Sequence, residues 1–201
     1  MKKIMIGLLG AGAVIFAGAQ AYVAYSTRHT EQRPYEVLRT VGNIEIRWYP
    51  PVNMAAYRQE GPMFGGQNGS FRVLAGYIFG GNTKGQSIAM TSPVEMLETG
   101  TDNEMRFMMP SNLHLDSLPT PNDSRIRLYT EAGFHAATLT FGGYNSEGLT
   151  KKHAKELQDF LEKEGIAFSP DLVVLGYNPP FQVFDRKNEV MLRLPAFQQE
   201  G

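Results

Sequence analysis

Ile88-Ala89-Met90-Thr91-Ser92-Pro93-Val94, preceded by Gly80-Gly81-Asn82, is the stretch that decides how this chain folds. It leads out of a helix-like segment and into a strand-like one, and it is not a usual turn. Pro93 has no N–H to donate, so Thr91-Ser92-Pro93 interrupts any ladder that this strand joins. Upstream, 67–79 reads as a helix, because Phe71, Leu74 and Ile78 fall at i, i+3 and i+7 and form an apolar stripe. Gly69 and Gly76 lie close to one face of it. Each glycine costs a helix about 1 kcal/mol against alanine. Two on one face point to tight packing on a sheet, or to the close approach of another backbone or a flat ligand. Downstream, 87–97 and 104–109 read as strands joined by the loop 98–103, a hairpin.

The rest of the chain repeats this order. The run Ile44-Glu45-Ile46-Arg47-Trp48-Tyr49 begins with apolar/polar alternation, which sets Ile44, Ile46 and Trp48 on one face. Pro50-Pro51 breaks it, and 52–57 resumes as a second strand. Two further strands, 125–129 and 135–141, flank Glu131-Ala132-Gly133. The helix 148–164 buries Leu149, His153, Leu157, Phe160 and Leu161, with Ser146 to cap its start and Gly165 its end. Strands at 172–176 and 190–194 close the chain around the loop 177–187. Strands alternating with helices suggest a parallel α/β sheet. The short links between the strand pairs favour an antiparallel sheet or barrel instead, with the helices outside.

Composition narrows the function. The chain has 201 residues and a net charge of −1, so no global field draws it to nucleic acid or to an anionic membrane. Cysteine is absent, which removes disulfides, thiolate metal ligands, a cysteine nucleophile and covalent c-type haem attachment. At the N-terminus, Lys2 and Lys3 precede an apolar run from Ile4 to Ala19 that continues from Ala21 to Tyr25. This stretch, 1–25, reads as a membrane anchor, since about 20 apolar residues span a bilayer. It also reads as a signal peptide with Ala17-Gly18-Ala19 as its cleavage site. In both cases the domain is exported, to the periplasm or the extracellular side. Residues 26–34 are polar and read as a tether, and 35–201 as the domain.

The resemblance now becomes specific. Tyr35-Glu36-Val37 with Glu45 to Tyr49, the helix 71–77, Gly80-Gly81-Asn82, Met90-Thr91-Ser92-Pro93-Val94, Gly176-Tyr177-Asn178 and Arg186 to Val190 together resemble the SOUL haem-binding family. They follow the family's order and spacing over nearly all of 35–194. The resemblance implies the fold class: α+β, a distorted antiparallel β-barrel of two β-α-β-β repeats with two helices packed outside. It also implies non-covalent binding of haem or free porphyrin in an apolar groove between the first helix and the loop before the last strand. Those regions are 67–77 and 179–186 here. One departure stands out: Trp48 follows Ile46-Arg47 where some members carry a proposed axial histidine.

A porphyrin needs a flat apolar slot and one or two cations for its propionates. Phe71, Leu74, Ala75, Phe181 and Phe184 supply the slot, and Arg72 and Arg186 the cations. Read blandly, the same aromatic residues are core and the arginines solvated surface. Met90, Met96, Met105, Met108 and Met109 cluster on the hairpin, where methionine more often fills space than ligates iron. The histidines, His29, His114, His135 and His153, form no metal motif. Gly65-Gly66-Gln67-Asn68-Gly69-Ser70 lacks the ending of a phosphate-binding loop, and no nucleophile elbow occurs. The reading is a non-enzymatic carrier, buffer or sensor of haem, anchored by its N-terminus. The alternatives are a protein-interaction module on the same barrel, and a small-molecule hydrolase using Glu95 or Tyr177.

Overall fold

The computed structural model describes residues 16–27, 29–64 and 67–197. The start of the apolar N-terminal run lies outside them. Residues 16–27 are helical (α1). Among the described residues no helix is long and apolar enough to cross a membrane. The strands are β1 (Glu31–Gln32), β2 (Glu36–Val41), β3 (Ile44–Tyr49), β4 (Val52–Glu60), β5 (Thr91–Ser92), β6 (Val94–Thr99), β7 (Asp102–Met108), β8 (Ile126–Glu131), β9 (Phe134–Gly142), β10 (Leu172–Gly176) and β11 (Lys187–Arg193). The two packed helices are α2 (Gln67–Ile78) and α3 (Glu147–Lys163), the latter capped by Ser146, which accepts from Leu149 N.

Nine strands form one antiparallel sheet in the order β2-β3-β9-β11-β10-β6-β7-β4-β8. The units β3-β4-α2-β6-β7 and β8-β9-α3-β10-β11 have the same element order. Exchanging one for the other reads the sheet back from its opposite end, with β2 as an addition. Each expected β-α-β-β repeat therefore carries one more strand at its start.

The links Pro50-Pro51 and Ala132-Gly133 do not close hairpins. β3 pairs with β2 and β9, whereas β4 pairs with β7 and β8. Each link sends the chain from one half of the sheet to the other. Three Cα steps span at most about 11 Å, while six strand spacings on a flat sheet would need about 29 Å. The sheet must therefore curl until β3 comes within that reach of β4, and β8 within that reach of β9. Arg193 of β11 pairs with Glu131 of β8, five places away in sheet order, which only a barrel interior allows.

Both helices pack outside this curl. α2 covers β4 and β7 through Leu74, Tyr77 and Ile78, which meet Ala55, Met105 and Phe107. α3 covers β9 and β11 through Ala154, Leu157 and Leu161, which meet Leu139, Val190 and Leu192. The expected strand 87–97 is shorter than its pattern suggested. It splits into β5 and β6 at Pro93, and β5 pairs with β1 in parallel. The polar stretch 26–34 is thereby partly built into the barrel: Glu31 and Gln32 pair with β5, and Arg33 is buried.

Candidate functional site

Between α2, packed on β4 and β7, and α3, packed on β9 and β11, the outer face of β10 and β6 carries no described helix, although Val174 on it is fully buried. The two helices sit four strand spacings apart, about 19 Å. Subtracting one helix diameter, about 10 Å, leaves a trough over β10 and β6. Val94 pairs with both Phe107 and Gly176, so one register line runs from under α2 to the start of the 177–186 loop. Val94, Met96 and Gly176 are half-buried on this floor. Gly176 adds no side chain, so the floor is flat where the loop begins.

The seven predicted residues divide across this geometry. Phe71 stands at the rim, 37% exposed, its ring 5.5 Å from that of Phe107. Arg72 beside it is exposed and has no hydrogen-bond or ion-pair partner among the described residues. Leu74 and Ala75 lie one turn on along the same face, where Leu74 is fully buried and Ala75 nearly so, and they support the helix rather than line the slot. Phe181 and Phe184 project from the loop at 62% and 64% exposure. Arg186 serves the loop itself. Its Nη1 donates to the carbonyls of Pro179 (2.8 Å) and Gln182 (2.6 Å), and its guanidinium lies over Tyr144. A Cβ at Gly76 would meet nothing within 4 Å, and one at Gly69 only the Gln59 side chain at 3.9 Å. Tight packing does not explain either glycine.

The loop is also where α1 docks. Gln20 Nε2 donates to Phe181 O and Gln20 Oε1 accepts from Val183 N, at 3.1 and 2.8 Å. Thr27 donates to the buried Gln182 side chain at 3.1 Å. A cleft of about 200 Å³ lies between this helix and Tyr177, Asn178 and Lys187. A larger one, about 430 Å³, opens beside Glu31, Pro34, Met108 and Leu113. None of the seven predicted residues lines it.

Trp48 is remote from the trough. It pairs with His135, whereas the loop end of the sheet aligns with Gly142, seven residues along β9 and roughly 23 Å away. The departure at Trp48 therefore leaves the trough unaltered. His135 packs on Trp48 and Phe197, and His153 stacks on Phe141, on the side of α3 away from β10. Met96 is the sulfur ligand type that lies on the trough floor.

Inside the barrel lies a buried charge network that the sequence reading did not find. Arg47 reaches both oxygens of Glu189 at 2.9 Å, and Glu189 also accepts from Tyr177 (2.7 Å) and Thr140 (3.1 Å). Burial opposes ionisation of Glu189, but Arg47, Lys187 and Tyr177 outweigh it and hold its carboxyl at about 2. Burial and the neighbouring Glu189 push the Tyr177 phenol well above its usual range. Glu131 accepts from Arg33, Arg106 and Arg193; burial opposes its ionisation, but Arg33 and Arg193 hold its carboxyl low. Glu95 and Tyr177, the alternative acid-base groups of a hydrolase reading, thus face the interior and are bound there to Arg33 and Glu189 respectively. Strand alternation carried the signal: with Ile44, Ile46 and Trp48 outward, Arg47 and Tyr49 must point inward.

Comparison with known proteins agrees with this architecture. The model of the family described as SOUL heme-binding protein matches residues 30–193. Heme-binding protein 2 of Mus musculus is 29% identical over 168 residues, covering 79% of this chain and 82% of its own length. Heme-binding protein 1 of Mus musculus is 31% identical over 124 residues, 58% of this chain and 65% of its own. Among solved structures, an uncharacterized conserved protein from Listeria innocua aligns with a TM-score of 0.58 at 14% identity, covering 85% of this chain and 95% of that one. The EcmrR C-terminal domain aligns at 0.56 and 12% identity, over 79% and 96%. At these identities the solved structures speak for the fold alone.

Proposed function

The chain belongs to the SOUL heme-binding protein family, and we propose that it binds haem or a related tetrapyrrole non-covalently in the outer trough. The observation that carries the location is the set of exposed aromatic residues around a half-buried apolar floor. Phe71 stands on one side, Phe181 and Phe184 on the other, and Val94, Met96 and Gly176 lie between. Phe71, Phe181 and Phe184 are large exposed aromatic side chains, and such exposure is costly in water unless something covers them. Arg72, exposed and without a partner among the described residues, would supply the charge for a propionate. Arg186 shapes the loop and contributes indirectly. The role is binding rather than catalysis.

Titration with hemin, followed by its Soret band, tests this. Saturable one-to-one binding is expected, weakened roughly tenfold or more by Arg72→Glu or Phe71→Asp. Leu113→Arg, in the cleft of about 430 Å³, leaves it unchanged. No saturable binding into the micromolar range would sink the proposal and favour a protein-interaction module. Loss in Leu113→Arg alone would move the site to that cleft.

We further propose that the domain works outside the cytoplasm, held by its N-terminal segment or released from it. The support is Lys2-Lys3 followed by the apolar run from Ile4. Cell fractionation with mass spectrometry of the mature N-terminus decides. An uncleaved chain found only in the cytosol overturns the export reading.

A further inference from the structure

Arg33 lies inside the barrel although it belongs to none of the nine strands. Its guanidinium donates to Glu95 and Glu131, and sits 5.3 Å from the ring centre of Tyr49 and 5.1 Å from that of Phe134. Two carboxylates and two aromatic faces around one planar cation are the elements of an organic-cation site. Arg33 and Glu95 are nearly inaccessible, at 3% and 1% exposure. Even so, Arg33 Nε and Glu95 Oε2 are left without hydrogen-bond partners among the described residues. The tethered side chain therefore fills the site without using all of its bonding capacity.

The charge balance shows what the site selects. Around Glu131, the cations Arg33, Arg106 and Arg193 face the anions Glu95, Glu104 and Glu131, and Arg127 meets Glu104 from the exposed side. Withdrawing Arg33 leaves Glu95, 1% exposed, with no ion-pair partner among the described residues, and a buried uncompensated carboxylate is costly. A monovalent cation restores the balance, whereas a neutral isostere does not.

The segment that delivers Arg33 is a short strand clasped by β5. β1 is two residues long, and beyond its pairing with β5 the attachments are Arg33 N to Ser92 O at 2.9 Å and Ser111 N to Glu31 Oε1 at 2.8 Å. The clefts of about 430 and 200 Å³ both border it. From these observations we infer that the barrel interior is a binding site for a small guanidinium- or amidinium-type cation, which the chain occupies with its own Arg33. This site is separate from the outer trough, so either can fail without the other.

The test uses the full chain carrying Arg33→Ala, titrated with methylguanidinium and, in parallel, with neutral methylurea. Methylguanidinium is expected to raise the melting temperature of the variant saturably. Methylurea does not, and the wild type shows no saturable response. Adding Glu95→Gln weakens the response roughly tenfold or more, since a charge-assisted bond is lost. Absence of a cation-specific response in Arg33→Ala, or an equal one in the double variant, overturns the inference. Should Arg33→Ala not fold by itself, refolding in either compound reads the same site. Cooperative unfolding regained only with methylguanidinium supports it, and equal failure in both refutes it.

Discussion

Glu189 and Arg47 show how one buried pair ties stability to pH. Glu189 is fully buried and every partner it has favours its ionised form. Its carboxyl titrates at about 2 in the fold, against an ordinary 4.5. The folded state thus holds this proton less tightly than the unfolded chain. The stabilisation is fully present above pH 4.5 and is lost as pH falls from there through 2. A shift of that size corresponds to about 3 kcal/mol. Glu189→Gln should therefore lower the melting temperature near neutral pH by roughly 6–12 °C. The gap between variant and wild type should close as pH is taken from 5 to 2. A gap that stays constant over that range would mean the loss is one of packing rather than of charge. Glu189 escaped the sequence reading for a plain reason: in a short run flanked by Val190, a glutamate on a strand reads as outward-facing polar surface. Only the curl of the sheet turns that face inward.

At the scale of the element, the stretch that identified the family proves to be joinery. Gly80 takes a φ of 105°, open to glycine but strained for other residues, and ends α2. Gly81 N donates to Gly76 O at 2.8 Å, and a Cβ at Gly81 would come within 2.6 Å of that oxygen. Asn82 then fastens the turn, donating to Tyr77 O and Gln86 O and accepting from Lys84 N and Gln86 N. Thr91 donates to Met108 O at 2.6 Å, and Ser92 O receives Arg33 N. The signature therefore holds α2 over β7 and clasps the segment that carries Arg33, and none of its polar atoms is spent on the trough. That structural task was legible from Pro93, which had to break a ladder, and from the helix pattern upstream. The trough floor was not, because Val94, Met96 and Gly176 become neighbours only through the pairing of β6 with β10, which no local pattern encodes.

At the scale of the molecule, duplication was legible as element order, but the exchange of strands was not. Short links such as Pro50-Pro51 and Ala132-Gly133 look like hairpin turns in sequence, and both instead pass a strand to the opposite half. Gly133 marks where the links meet, since a Cβ there would fall 2.6 Å from the Trp48 ring. Each half lends its first strand: β3 pairs with β9, and β8 pairs with β4. Neither half can then satisfy its own backbone or cover its own barrel interior. The loop from β7 to β8 belongs with the first half, because Thr83 N donates to Thr120 O, Asn122 N to Gly81 O and the Tyr77 hydroxyl to Pro119 O. A break after Asp123 consequently separates the halves at their natural seam. Fragments 1–123 and 124–201 expressed alone should show no cooperative unfolding by circular dichroism. Expressed together they should copurify and melt as one unit, because the contacts between β3 and β9, between β4 and β8, and between β6 and β10 need no peptide bond at 123. Cooperative melting of either fragment by itself would mean that a half can repair its missing strand, and that the exchange is a decoration of the fold rather than the reason it closes.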